Sequence, residues 1–482
     1  MALLPETVYS SPQAPVSVAG LKIYLKLASV RILSHVPPDV TERPNILLVC
    51  TDQQFAGAMS CAGTGHIDTP AIDSLADRGV RFTESYCANP VCSPSRASMF
   101  SGEPSHRTGV RDNRQHFDED IHDRTLGHLL SDAGYECSYA GKWHVPNHNI
   151  SGDHGFERIA GYNDHDVPGA TEAFLRADHE DPFFLVSSFD NPHNICEWPR
   201  GETLPWGNVE VPPPEECPPL PANFAIPPFE PVSIDDHRES MPMADATPEE
   251  WRQYRYVYYR LVERVDRALA GILQTLEDEG LAEETVVLFT SDHGDMNGAH
   301  RLHQKWVAYE ESARVPLIVA GPETADGCTD DRLICNGYDL VPTLCDYAET
   351  DVPDSLRGYS LRAPARGDEP NEWRDYLVTE STGKLEARMV RTPRYKYAVY
   401  EEGRPREQLF DMQEDRGEMV NLAVDDAHEE VLNRHRELLL EWCVETNDRF
   451  MSHYAHGINH LPTVPGFEYE EIRGRFEDES DT

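Results

Sequence analysis

Residues Cys87 to Gly102 read Cys-Ala-Asn-Pro-Val-Cys-Ser-Pro-Ser-Arg-Ala-Ser-Met-Phe-Ser-Gly, and Gly102 stands ten positions beyond Cys92. Pro94 has no N–H to donate and suits the first turn of a helix, so Cys92 is expected at or just before a helix N-terminus. Free N–H groups and the helix dipole favour an anion there. A nucleophile at that point, with Arg96 one turn further on, is placed to meet a tetrahedral oxyanion. Read alone, a single cysteine is a small buried hydrophobe, so the rest of the chain has to supply its partners.

Four apolar runs end in polar clusters. Asn45 to Cys50 reads as a buried strand that runs into Thr51-Asp52-Gln53-Gln54. Open α/β sheets place ligands at the carboxyl ends of their strands, although Asp52 also suits a helix cap or a turn. The strand Tyr135 to Ala140 leads into Gly141-Lys142-Trp143-His144, where Lys142 and His144 point the same way if the segment stays extended. Phe183 to Phe189 ends in Asp190-Asn191-Pro192-His193-Asn194, and Thr285 to Thr290 ends in Ser291-Asp292-His293-Gly294-Asp295. Taken singly, these residues also read as a surface lysine, structural histidines and turn acids.

Cys92-Ser-Pro-Ser-Arg96 with Gly102 resembles the sulfatase signature, and other matches follow in family order. Gly141-Lys142-Trp143-His144 and Pro192-His193 are two of them. Lys305-x(3)-Tyr309-Glu310-Glu311-x-x-Arg314-Val315-Pro316 is the most specific, and Gln408-Leu-Phe-Asp411 through Asn421-Leu422-Ala423 closes the set. The resemblance spans roughly Arg43 to Ala423. It implies that a formylglycine-generating maturation enzyme oxidises Cys92 and that the hydrated aldehyde attacks sulfur. By the same resemblance Asp52, Gln53, Cys92, Asp292 and His293 hold Ca2+, with Mn2+ or another divalent ion open because of the imidazole. Gln53 replaces the more usual acid, as in some choline-sulfatase-like and phosphonate-hydrolase-like members. Lys142 and Lys305 would hold sulfate oxygens. His193, with Lys305, would protonate the leaving oxygen, and His144 would take a proton from the hydrate to expel sulfate. Arg96 would orient the nucleophile. The family's frequent proline after the histidine is Asn194 here.

The implied fold is α/β: a large, mixed, mostly parallel sheet sandwiched by helices, alkaline-phosphatase-like, with a smaller C-terminal antiparallel sheet. The implied activity is hydrolysis of a small-molecule or carbohydrate sulfate ester. The alternatives are a phosphonate monoester or phosphodiester hydrolase on the same scaffold, a non-catalytic ester-binding homologue, or an enzyme using Cys92 as an unmodified thiolate.

Residues 1–42 read as an N-terminal extension, 43–365 as the catalytic domain and 366–482 as a C-terminal subdomain with an acidic tail from Glu468. The Pro-rich stretch 198–246 is expected to run extended over the surface. Helices are expected from Thr69 to Gly79, His122 to Gly134, Asp339 to Tyr347 and His428 to Glu445. The capping box Thr247-Pro248-Glu249-Glu250 should open a long one that ends before Gly280. Residues 80–86 are expected as one strand, with further strands at 315–320, 376–380, 387–391 and 395–400.

The 85 acidic residues outnumber the 42 basic ones, which are nearly all arginine, for a formal charge of -43. That balance excludes nucleic acid as a partner. It suits a halophilic surface solvated in concentrated salt, or an ordinary acidic protein. Eleven cysteines without paired spacing argue against a disulfide framework. No stretch approaches a membrane span and no signal peptide is visible, so the expected location is cytoplasmic, leaving secretion open. Residues 21–33 form a short amphipathic stretch, read as a packing helix or the product of a misplaced start, with membrane contact the minor alternative.

Overall fold

The computed structural model of the chain describes residues 43–450, apart from 119–120, 122–123, 146–149 and 151–153. The extension 1–42 with its amphipathic stretch, the acidic tail and part of the expected 122–134 helix lie outside the described residues.

The apolar runs form the strands. In chain order these are β1 (Asn45–Asp52), β2 (Gly79–Phe82), β3 (Ser85–Tyr86), β4 (Glu136–Gly141), β5 (Glu157–Ala160), β6 (Phe183–Pro192), β7 (Thr285–Ser291), β8 (Leu317–Ala320), β9 (Cys328–Asp330) and β10 (Ile334–Cys335). Eight of them make one sheet in the order β5-β4-β6-β1-β7-β8-β2-β9. From β5 to β7 every pairing is parallel, and β8 is antiparallel to both of its neighbours. Leu47 of β1 lies between Leu185 and Val287.

Side chains of the central strands alternate between two covered faces, which is why β1, β6, β7 and β8 are largely apolar while the edge strands β5 and β9 are not. Ile46, Leu48, Phe184, Val186 and Leu288 pack with Phe100, Leu340 and Leu344 on one side. Leu47, Val49, Leu185, Val287 and Phe289 pack with Ile72, Leu75, Leu269 and Leu276 on the other. The helix Pro248–Asp278 supplies most of that second cover, and its Thr247/Glu250 capping box is formed. A separate antiparallel sheet runs β11 (Leu377–Ser381), β12 (Ala387–Arg391), β13 (Tyr395–Tyr400) and β14 (Glu407–Asp411). The helix Glu429–Thr446 packs against it through Leu438, Leu439 and Trp442.

Three expectations change. The 80–86 strand is broken at Thr83-Glu84: β2 joins the main sheet, while β3 pairs with β10. Gly79 opens β2 rather than capping the preceding helix Pro70–Asp77, because a side chain there would lie 2.3 Å from the Val319 carbonyl of β8. The stretch 198–246 is only partly an extended run over the surface. It forms short 3-10 turns and the helix Val232–Glu239, and it lies against the long helix, where Arg252 donates to the Cys217 carbonyl at 2.7 Å and Phe224 meets Trp251. All eleven cysteines are free thiols, and among the described residues no helix is long and apolar enough to cross a membrane.

Candidate active site

Parallel strands β4, β6, β1 and β7 are consecutive neighbours, so their carboxyl ends share one edge of the sheet. Each delivers a polar residue there: Lys142 after β4, Asp190 and His193 at the end of β6, Asp52 at the end of β1, and Asp292 and His293 after β7. The helix Cys92–Ser101 opens on Cys92 itself, with Val91 as its extended cap residue and Pro94 in its first turn. Lys305 arrives from the loop between β7 and β8.

These residues converge. The Cys92 Sγ lies 2.8 Å from Lys305 Nζ, 3.3 Å from His293 Nε2 and 3.8 Å from Asp52 Oδ1. Lys142 Nζ sits 2.5 Å from Asp52 Oδ2 and 2.7 Å from Asp190 Oδ1. Arg96 is wholly buried beneath them. Its Nε donates to Asp292 Oδ2 at 2.7 Å, one terminal nitrogen donates to the Lys142 carbonyl at 2.7 Å, and the other is 3.6 Å from Asp52 Oδ2. Its guanidinium is thus committed to the carboxylates and the backbone, which makes Arg96 a positioning residue. Ser95 Oγ donates to the Asp292 carbonyl at 2.5 Å and Ser93 Oγ to that of His144, tying the nucleophile helix to two of the four strand ends.

Burial alone would push the Cys92 thiol up, but Lys305 and His293, helped by His144 and His193, hold it well below the usual thiol range. Asp52 is likewise raised by burial and by Cys92, yet Lys142, His193 and Lys305 outweigh both and lower it. Asp292 goes the other way: burial and the facing Asp52 carboxylate raise it. Lys142 stays charged despite burial because Asp52 and Asp190 flank it.

Asp52, Asp292, His293 and Cys92 are fully buried and present ligand atoms within 4.8 Å of one another. Two carboxylates, an imidazole and the Cys92 sulfur facing one point form a donor set that fits a divalent cation. Gln53 is not part of it. Its backbone is left-handed (φ 71°), its amide nitrogen donates to Asp295 Oδ2 at 2.7 Å, and its amide oxygen faces the Cys196 thiol. Only its backbone N–H serves the site, donating to Asp292 Oδ1 at 3.1 Å.

The segment after β4 is not extended either. Gly141 (φ 101°) lies so close to the Ser188 carbonyl that a Cβ would stand 1.9 Å from it, and His144 is left-handed at φ 57°. The turn, rather than strand alternation, brings both Lys142 and His144 to the site. Sequence reasoning missed Asp190 as the partner of Lys142 and Asp295 as the anchor of Gln53. Asp190 directly follows the apolar run Phe183 to Phe189, whereas Asp295 stands beyond Ser291-Asp292-His293-Gly294 and carries no such signal.

A family model described as Sulfatase matches residues 44–350, and one described as N-sulphoglucosamine sulphohydrolase, C-terminal, matches 298–445. The chain is 32% identical over 467 residues to a Delta 4,5-hexuronate-2-O-sulfatase of Bacteroides thetaiotaomicron, covering 89% of this chain and 95% of that protein. A solved structure described as a 2-O GAG sulfatase superposes with a TM-score of 0.76 at 30% identity, covering 89% of this chain and 98% of that one. The phosphonate monoester hydrolase of Agrobacterium radiobacter shares the fold, with a TM-score of 0.69 at 23% identity over 85% of this chain and 97% of that one. With the helix that opens on Cys92 and four strand ends gathered at one buried point, the chain belongs to the sulfatase family of the alkaline phosphatase superfamily, hydrolases of sulfuric ester bonds.

Proposed function

We propose that the enzyme removes sulfate from a carbohydrate using a formylglycine made from Cys92 and a divalent ion, calcium or manganese, held by Asp52, Asp292 and His293. The observation that carries this reading is the placement of one thiol against two buried lysines and two buried carboxylates. When present, the modified residue supplies a hydrated aldehyde as nucleophile and the ion neutralises charge on the sulfate group.

The chain's own groups do the rest. Lys305 Nζ, 2.8 Å from the position of the nucleophile, neutralises a sulfate oxygen. With His193 it delivers a proton to the departing ester oxygen. His144 accepts a proton at the nucleophile in the second half of the cycle. Lys142, braced by Asp190, holds the Asp52 carboxylate and adds positive charge toward the sulfate. Arg96 fixes Asp292 and the Lys142 backbone.

Relatives named for hexuronate-2-O-sulfate and glucosamine sulfate esters support a sulfated sugar, and the 2-O-sulfated unsaturated hexuronate is the first candidate. The test is mass spectrometry of the peptide containing residue 92, with sulfate release measured on sulfated uronates, sulfated hexosamines, an aryl sulfate and an aryl phosphonate. Aldehyde at residue 92 with sulfate release from a sugar is the expected result. An unmodified thiol in active enzyme, or cleavage of the phosphonate alone, rejects the reading.

A further inference from the structure

A second group of potential ligands lies apart from Cys92. His300, Glu311 and Glu418 present an imidazole nitrogen and two carboxylate oxygens within 4.8 Å of one another. His300 and Glu418 have no exposed surface. Neither ring nitrogen of His300 has a hydrogen-bond partner, and Glu311 Oε2 has none either. A buried imidazole with both nitrogens bare is a poor end state for a folded chain.

The groups around the three side chains orient them; Lys396 Nζ lies 2.7 Å from Glu418 Oε1, while His300 and Glu311 keep ligand atoms bare. The His300 ring stacks on Tyr309, with centroids 3.9 Å apart, and its backbone N–H donates to the Asn223 carbonyl at 2.8 Å. Glu311 is held through its other oxygen, Oε1, by the Asn223 amide at 2.9 Å. Glu418 is held through Oε2 by the Glu310 N–H at 2.7 Å. Partners that fix the far side of each donor are what metal ligands characteristically have.

Glu310, Glu311 and Glu418 are close together, and the cations paired with them are Arg314, 2.7 Å from Glu310, and Lys396, 3.0 Å from Glu310 and 2.7 Å from Glu418.

We propose that His300, Glu311 and Glu418 bind a structural divalent transition-metal ion, with Zn2+ the best match to one imidazole and two carboxylates. The ion joins the Lys305 loop, the turn before β8 and the turn after β14. The Lys305 loop needs such a clip. Asn297, His300, Arg301, Gln304 and Trp306 all have positive φ, between 45° and 77°, a backbone that persists only when its surroundings over-determine it.

The experiment counts metal in the full-length protein after incubation with Zn2+ and dialysis, by inductively coupled plasma mass spectrometry. A variant carrying Asp52→Asn and Asp292→Asn removes the ligands near Cys92 and should keep one ion per chain. Adding Glu311→Gln, close in shape to the native side chain, should remove that ion with an unchanged circular dichroism spectrum, and adding His300→Ala should do the same. In the Asp52→Asn, Asp292→Asn background a chelator should lower the melting temperature, and after Glu311→Gln it should have no effect. A folded Asp52→Asn, Asp292→Asn variant that holds no ion and melts identically with and without chelator overturns the proposal, whatever becomes of the reading of Cys92. Retention of the ion after both Glu311→Gln and His300→Ala overturns it as well.

Discussion

Cys92 sits in a field of opposed charges, and its neighbours divide into groups that act on the nucleophile and groups that hold those groups still. Replacing Cys92 by Ala removes the nucleophile but no helix or core contact of consequence, so sulfate release should fall to background while the circular dichroism spectrum stays native. Residual turnover in that variant would show that another group attacks. Asp190→Asn tests the bracing of Lys142: a charged hydrogen bond contributes about 1.5–3 kcal/mol, so kcat/KM should fall roughly 10- to 150-fold with the fold intact. A change below twofold would mean that Asp52 alone fixes the ammonium. Cys92, Lys142, Lys305, Asp292 and His293 were legible as candidates because the motifs that carry them are local in sequence, and the structure brings them together. Gln53 was not legible, since nothing local in the sequence says that Asp295, 242 positions away, takes its amide. Asp190 escaped for a similar reason, because its meaning comes from Lys142 on the neighbouring strand.

Among the elements, the four central strands and the long helix were readable from apolar runs and a capping box, and the boundaries that depend on contacts distant in sequence were not. Gly79 looked like a helix stop, yet its role is the close approach to β8. Gly79→Ala should therefore destabilise by a few kcal/mol, as overpacking typically does by about 1–3 kcal/mol, which denaturant titration would read as a lower midpoint at unchanged slope. The helix Pro70–Asp77 has no cap from Thr69, and the acceptor comes instead from Asp266 on the long helix, which takes the Ile72 N–H at 2.9 Å and the Ala71 N–H at 3.3 Å. Burial raises the Asp266 pKa to about 6 against these backbone donors. An unfolded aspartate titrates near about 3.9, so the folded state binds the extra proton between the two values. Its contribution to stability is then fully present below about pH 4 and is lost as the pH rises through about 6. Asp266→Asn should flatten the stability profile across that window, and an unchanged slope would reject this account of the cap.

For the whole molecule, charge is the property that sequence alone states completely, and the structure gives it a second meaning. Of the 42 basic residues only six are lysines, and two of those six, Lys142 and Lys305, are buried against the nucleophile cluster. The site thus sets two buried lysines and Arg96 among three carboxylates in a chain of formal charge -43, and its substrate is an anion that has to approach through the field of the whole protein. Raising the salt from about 0.1 M to about 1 M shortens the screening length from about 10 Å to about 3 Å. That weakens self-repulsion among the surface acids and long-range repulsion of the substrate, while the contacts of Lys305 and Lys142 with groups under 3 Å away are hardly screened. Two changes should therefore move together over this range: the melting temperature rises, and KM for a sulfated uronate falls with little change in kcat. Steady-state kinetics and thermal melts at matched salt concentrations check both. A KM that rises with salt would show that attraction by the buried lysines outweighs repulsion by the surface acids, and would reject this account of substrate access.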